Sequence, residues 1–249
     1  MELIAEPAVL TAVAPGNRER LLTFVTRAHG GVRLYARRQG TRPGATVFLE
    51  PLQGGELVYF RSREGGRLRL HSFVPQRVWP GIRADLGRTV HAQAFLELVN
   101  GTLAEGELHA ETFDLLVRFL NRLEEESRPG LARIAASLRL LAAAGFAPCL
   151  DACTVCRCDI AGGAGFSPEA GGVVCRSGRI RQRLSALAIS AAALGLLQRA
   201  LSLPEGRMRR LRVAPLVERE ASRLLDAFVE ARTGVRPCWG SAIERLEAG

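Results

Sequence analysis

The stretch that decides the fold runs from Cys149 to Cys175 and reads CLDACTVCRCDI (149–160), AGGAGFSPEAGG (161–172) and VVC (173–175). It contains five of the chain's six cysteines. Cys153 and Cys156 form a C-x-x-C, which places two thiolates on one tight turn, and Cys175 follows after 18 intervening residues. This spacing is common in structural zinc sites. The stretch therefore predicts a Zn²⁺ site that closes a glycine-rich loop.

Two cysteines, Cys149 and Cys158, are candidates for the fourth ligand of this site. No histidine is near in sequence, and position 178, where a second C-x-x-C would end, is a glycine. Cys149 could reach the metal from the amino-terminal side. We favour Cys158, because it lies closest to the C-x-x-C turn. The predicted metal ligands are Cys153, Cys156, Cys158 and Cys175.

Two other interpretations of the cysteines are a disulfide pair with spare thiols and reduced thiols in a small core. The first fifteen residues include Glu2 and Glu6 but no basic segment, so we expect no export signal and a cytoplasmic, nucleoid-associated protein. Disulfides are rare in that compartment. An all-cysteine set leaves no open coordination position, which favours structural over catalytic zinc.

Length and charge limit the class of protein. The chain of 249 residues is long enough for two or three small domains, and its net charge of +9 favours a polyanionic partner. Every basic residue is arginine, which a GC-rich genome would also produce. The most apolar run, Leu184 to Leu197, is too short to cross a membrane and predicts a buried helix that extends to Leu203. We expect no membrane partner.

Residues 1–80 have the pattern of a small β-barrel. Short apolar strands are predicted at 21–26, 32–37, 47–49, 57–61 and 68–73, with glycine turns between them. Strands at this spacing favour a closed five-stranded barrel, for which the OB-fold is the common solution and an SH3-like barrel the alternative.

Arginine is concentrated in this barrel. Residues 1–80 contain twelve arginines and six glutamates, a net charge of +6. Such a surface can follow a phosphate backbone. The aromatic residues Tyr35, Tyr59 and Phe60 are either stacking faces for bases or barrel core. The predicted nucleic-acid-binding residues are Arg33, Arg37, Arg38 and Arg42 in the barrel and Arg181, Arg183 and Arg199 beyond the cysteines.

From residue 81 onward the apolar spacing predicts helices, which makes the fold class α+β. The expected domains are an OB-fold barrel at 1–80, a helical bundle at 81–148 and 180–249, and a zinc-binding insert at 149–179. No phosphate-binding loop, H-E-x-x-H or G-x-S-x-G motif is present. We therefore expect no enzymatic activity. Two alternatives are a zinc-dependent nucleic-acid-modifying enzyme and a zinc-stabilised protein-interaction scaffold without direct DNA binding.

Three segments resemble the RecO family of bacterial recombination mediators. The most specific is Gly145 to Cys156 with Gly165 to Cys175, which is similar to that family's zinc segment. The strand and glycine turn from Leu21 to Gly40 look like its amino-terminal barrel. Residues Leu224 to Leu246 look like its closing helix.

The resemblance implies an OB-fold, a helical domain, a zinc insert and a role in recombinational DNA repair. It also implies binding of single- and double-stranded DNA, annealing of complementary strands, and loading of recombinase with RecR on DNA coated by single-stranded DNA-binding protein. Two departures stand against it. The family's usual fourth cysteine corresponds to Gly178, and any family lysine that contacts DNA is replaced or missing, because every basic residue here is arginine.

Overall fold

A computed structural model describes residues 2–16, 19–37, 49–61, 67–103, 110–160, 164–208 and 210–234. The chain forms two compact units. One is Met1–Ala84 with Leu103–Glu124, and the other is Asp85–Thr102 with Glu125–Gly249. The first is mainly β-sheet and the second mainly helical. The predicted mixed α+β class is confirmed.

The first unit is built on a closed barrel. Its strands are hydrogen-bonded in the order β1-β2-β3-β5-β4, and β4 pairs again with β1. All of these pairings are antiparallel except the short one between β3 and β5. The strands are β1 (Glu2–Ala14), β2 (Glu19–Thr26), β3 (Gly30–Arg37), β4 (Gln53–Arg61) and β5 (Arg69–Val78).

The hairpin of β2 and β3 shows how the sequence specifies the barrel. Gly30 has a φ of +65°, a conformation that a turn requires and glycine adopts without strain. In this register Leu22 lies opposite Leu34, and Phe24 lies opposite Val32. All four side chains point inward and are buried, because alternate residues of a strand face the same side.

The longest strand was not predicted. The predicted strands begin after Pro15, whereas β1 occupies Glu2–Ala14 and pairs with both β2 and β4. Residues 47 and 48 of the strand predicted at 47–49 lie outside the described part of the chain. The other predicted strands correspond to β2–β5, and β5 extends further, to Val78.

A buried carboxylate lies inside the barrel. The side chain of Glu6 is 5% exposed and accepts hydrogen bonds from the Tyr59 hydroxyl (3.0 Å) and the Ala28 N–H (3.1 Å). One of its oxygens also lies 2.8 Å from His29 Nδ1. Burial, together with the neighbouring Glu6 charge, raises the pKa of Tyr59, so this phenol stays a donor. Tyr59 is therefore barrel core and not a stacking face.

A helix from the predicted helical region belongs to the barrel unit. Helix α3 packs against β2 and β3 with its apolar face. Asn121 on this helix accepts a hydrogen bond from Trp79 Nε1 at 2.9 Å, and Asp114 forms an ion pair with Arg27 at 3.1 Å. The helices of this unit are α1 (Pro80–Arg83) and α3 (Ala110–Leu123).

The second unit packs its helices around α4. This helix starts with Pro129 at its first turn, and eleven of its residues are buried. It contacts α2, α6, α7 and α8. No helix among the described residues is long and apolar enough to span a membrane. The helices are α2 (Leu86–Thr102), α4 (Pro129–Ala143), α5 (Arg176–Gln182), α6 (Ala191–Ser202), α7 (Glu205–Met208) and α8 (Pro215–Thr233).

The helix predicted from Leu184 starts later than expected. Helix α6 begins at Ala191, after Ser190 caps it by accepting a hydrogen bond from the Ala193 N–H at 3.1 Å. Residues Leu187–Ala188 form β8 instead and pair with β6 in a small sheet of order β7-β6-β8. The other strands of this sheet are β6 (Gly165–Ser167) and β7 (Gly172–Val174).

Helices α2 and α4 bury a histidine beside a cationic residue. The side chain of His91 is 5% exposed, and its Nδ1 atom has no hydrogen-bond partner among the described residues. Burial lowers the pKa of His91 to about 3, with a further contribution from the Arg133 guanidinium and a smaller opposing one from Asp85. Arg133 is itself buried and paired with Asp226 at 2.6 Å.

This histidine makes stability depend on pH. The pKa of His91 is 6.5 in the unfolded chain and about 3 in the folded protein. The unfolded chain therefore takes up a proton on His91 at a higher pH than the folded protein does. The free energy of unfolding should therefore fall as pH decreases from 6.5 towards 3. Between about pH 7.5 and about pH 5, the native protein should lose about 2 kcal/mol more than His91→Leu, measured by urea unfolding. Equal losses in both proteins would show that His91 is protonated in the folded state.

Candidate metal centre and basic surfaces

Four cysteine sulfurs converge in the second unit. The Sγ atoms of Cys153, Cys156, Cys158 and Cys175 all lie within 4.8 Å of one another. Cys156 Sγ lies 3.2 Å from Cys158 Sγ and 3.5 Å from Cys175 Sγ. Cys153 is fully buried, whereas Cys156 and Cys158 are exposed, so the cluster has an inner and an outer side.

A tight turn brings the first three cysteines together. The Arg157 N–H donates to the Cys153 carbonyl at 2.9 Å, and the Cys153 N–H donates to the Cys158 carbonyl at 3.0 Å. Arg157 has a φ of +60°, which turns the chain sharply before Cys158. An isolated bridge between Ala152 and Asp159 closes the turn. Cys158 therefore lies beside the C-x-x-C pair and not beyond it.

Cys175 enters the cluster from the end of β7. It caps α5, where its Sγ accepts a hydrogen bond from the Gly178 N–H at 3.2 Å. A Cβ atom at Gly178 would lie only 3.1 Å from Cys153 Sγ and 3.1 Å from Val155 Cβ. Gly178 thus packs its backbone directly against the sulfurs, at the position where the family pattern expects a cysteine.

The donor set fits a tetrahedral metal ion. Metal–sulfur bonds of about 2.3 Å place the sulfurs of such a site roughly 3.8 Å apart, close to the separations found here. The four sulfurs could hold a metal ion and are consistent with zinc. Since all four ligands are cysteines, no coordination position is left for a substrate or water.

The protonation of the sulfurs reflects their crowding. Burial raises the pKa of Cys153, but backbone N–H groups, chiefly that of Cys175, outweigh it and lower the pKa to about 6. Hydrogen bonding with Cys156, and then with Cys175, raises the pKa of Cys158 to about 12, because it favours the protonated form of the Cys158 thiol. Without a cation, the cluster therefore keeps protons on some sulfurs, because adjacent thiolates repel one another.

Cys149 lies outside the four-sulfur cluster. Its thiol donates to the Ala152 carbonyl at 3.2 Å. Its backbone N–H and carbonyl bond to Gly171 and Val173, both at 2.9 Å. Cys149 therefore tethers the start of the segment to β7.

Helix α5 presents a dense basic surface next to the cluster. Arg176, Arg179, Arg181 and Arg183 are all exposed. No hydrogen bond or ion pair joins their guanidinium groups to any residue that the structure describes. This group, the α5 arginines, places four unpaired charges within eight residues. Arg199 is also exposed, on α6.

The barrel has a second basic surface where β3 meets β5. Val32 and Leu34 point into the core, so Arg33 and Tyr35 face outward. Tyr35 pairs with Arg69, which shares its face. The Arg67 guanidinium lies over the Tyr35 ring, 4.7 Å from its centre. Arg67 and Arg69 were not singled out by the sequence, because only the pairing of β3 with β5 brings them beside Tyr35.

The remaining predicted contacts are placed as follows. Arg37 ends β3, whereas Arg38 and Arg42 lie outside the described residues. Phe60 is partly buried, and its ring packs edge-on against His71 at 5.1 Å. Phe60 lies directly opposite Arg69 in the β4–β5 register, so Tyr35 and Phe60 both border the outward basic face, whereas Tyr59 is buried.

The geometry predicts which cysteines retain a metal. Cys158→Ala should lose most bound metal and unfold at a lower temperature, because three sulfurs remain for a four-coordinate ion. The matched control Cys149→Ala should keep about one ion per chain. Both would be measured by elemental analysis and thermal unfolding. Full metal content in Cys158→Ala with loss in Cys149→Ala would reverse the assignment.

Comparison with known proteins agrees with these features. The family model described as "Recombination protein O C terminal" matches residues 83–239. The DNA repair protein RecO of Desulforudis audaxviator is 32% identical over 228 residues, 90% of this chain and 89% of that protein. The DNA repair protein RecO of Anaeromyxobacter dehalogenans (strain 2CP-C) is 34% identical over 235 residues, 92% of this chain and 90% of that protein. The chain belongs to the RecO family of DNA repair proteins.

Proposed function

We propose that this chain is a non-enzymatic DNA-binding protein of recombinational repair that anneals complementary strands. The observation that carries the proposal is the group of α5 arginines, four exposed guanidinium groups without a partner among the described residues. Unpaired cations at this density attract a polyanion. The family is that of a DNA repair protein, so the polyanion is DNA.

The mechanism is electrostatic. Arginines on phosphates release condensed counterions and neutralise the strand that they bind. Two strands held in this way repel each other less, so their bases can meet and pair without nucleotide hydrolysis. The DNA-binding residues would be those of the α5 arginines and the barrel surface, together with the sequence-predicted set Arg33, Arg37, Arg38, Arg42, Arg181, Arg183 and Arg199.

The metal would be a structural Zn²⁺ bound by Cys153, Cys156, Cys158 and Cys175. When bound, it neutralises the thiolates and cross-links the loop to α5. Its role would be to hold α5, because that seven-residue helix buries only Gly178. The alternative of a catalytic zinc would need an open ligand position, which four cysteines do not leave.

The barrel would be an OB-fold, since a closed five-stranded barrel with β1 paired to both β2 and β4 has the strand order of that fold. The domains would be the barrel at 1–80, a helical domain at 81–148 and 180–249, and the zinc insert at 149–179, with α3 packed on the barrel. The partners would be single- and double-stranded DNA, RecR and single-stranded DNA-binding protein, in the cytoplasm. Together they would load recombinase.

Salt dependence of DNA binding tests the proposal. Affinity for single-stranded DNA should fall as salt rises, with a log–log slope of roughly −0.7 for each phosphate contact. Arg181→Gln with Arg183→Gln should reduce the steepness of that slope by about 1.4 and weaken binding about tenfold or more. Fluorescence anisotropy at several salt concentrations would measure both quantities.

A matched control removes equal charge elsewhere. Arg210→Gln with Arg212→Gln neutralises two exposed arginines outside α5 and should leave the slope nearly unchanged. Stability should be unaffected in both variants, because exposed charges contribute little to it. Equal slopes in native protein and both variants would remove α5 from the DNA surface. Absence of binding at low salt would instead favour a protein-interaction scaffold.

A further inference from the structure

Helix α5 carries an exposed apolar side chain in the middle of its basic residues. Ile180 is 66% exposed and lies between Arg179 and Arg181 in sequence. Single exposed apolar residues are common on protein surfaces and need no explanation by themselves. What distinguishes Ile180 is its surroundings, since every arginine of α5 is exposed and without a partner in the described part of the chain.

The direction of Ile180 follows from helix geometry. Successive residues of an α-helix are rotated by about 100°, so residues two apart point to nearly opposite sides. Gly178 is the one residue of α5 that is buried, and it faces the sulfurs. Ile180 therefore points directly away from the metal cluster. Arg176, four residues earlier, shares its outward face.

Phosphates bound by these arginines would bring bases to Ile180. Neighbouring phosphates of a single strand lie several ångströms apart, within the reach of arginines that flank one helical position. A strand held by Arg176, Arg179 and Arg181 would thus pass across the outer face of α5. An apolar side chain at that point meets base faces, because phosphates and sugars are held by the charged groups beside it.

We propose that Ile180 is an apolar wedge that inserts between adjacent bases of a single strand held by the α5 arginines. The inference rests on the proposed DNA-binding function and adds the contact with bases. Apolar side chains inserted at base steps unstack them in other DNA-binding proteins. Here the separated bases expose their pairing edges to a complementary strand.

Helix α5, which carries Ile180, is held in place at both ends. Gly178 packs on Cys153 and Val155, and Cys175 caps the helix, so α5 is fixed at the end nearest the cluster. The Leu184 N–H donates to the Arg179 carbonyl at 3.0 Å and closes the other end. A flexible isoleucine would move aside instead of separating two bases.

A fluorescent base reports the insertion directly. In single-stranded DNA with 2-aminopurine between adenines, stacking quenches the fluorescence, and unstacking restores it. Saturating native protein should raise the emission, and Ile180→Ala should remove about half of that rise or more. The dissociation constant should change less than about threefold, since the arginines supply most of the affinity.

Two variants control for side-chain size and for general loss of apolar surface. Ile180→Leu should keep the fluorescence rise, because it keeps an apolar side chain of the same volume. Leu216→Ala removes a side chain that is 69% exposed on α8 and should also leave the rise intact. Zinc content and thermal unfolding should match the native protein in all three, since both positions are exposed.

The results of these measurements distinguish a failure of the proposed Ile180 insertion from a failure of the proposed DNA binding. A rise in Ile180→Ala equal to that of the native protein overturns the wedge. Tight binding by the native protein with no rise overturns the wedge alone and leaves DNA binding in place. Absence of binding by every protein overturns the DNA-binding function itself.

Discussion

The segment from Cys149 to Cys175 depends on one constraint, which is the mutual repulsion of four crowded sulfurs. Thiolates within 4.8 Å of one another repel, so Cys153, Cys156, Cys158 and Cys175 need either protons or a cation between them. A tetrahedral cation removes the repulsion and joins a tight turn, a short strand and a helix at one point. The seven-residue helix α5 buries only Gly178, so its position depends on the contacts around the sulfurs and not on an apolar face.

Close packing also accounts for the glycine at position 178, where the resemblance to the family predicts a cysteine. A side chain there would press on Cys153 Sγ and Val155 Cβ, both 3.1 Å from the Cβ position. With glycine, the backbone approaches the sulfurs, and Cys158 Sγ lies 3.2 Å from Cys156 Sγ. Four sulfurs therefore lie together without a cysteine at position 178.

Local patterns predicted the parts of the fold that local interactions determine. The cysteine spacing, the β2–β3 hairpin with Gly30 and the apolar stripes of α3, α4 and α8 are each visible within a short window. The parts that were missed depend on distant partners. Strand β1 contains Pro7 and is specified by β2 and β4, and β8 is specified by β6. Likewise, no pattern within the sequence brings Arg67 over Tyr35 or places Glu6 beside Tyr59.

A surface that anneals strands would have to bind any strand equally well, and the proposed role of α5 is compatible with that requirement. Side chains that accept or donate at base edges distinguish one base from another and would favour some sequences over others. Guanidinium groups bind phosphates, which are the same at every position, and every base offers an apolar face to a side chain such as Ile180. A helix of seven residues whose exposed side chains are arginines, a serine, a glutamine and one isoleucine would therefore attract a polyanion strongly and have little means to select a base sequence.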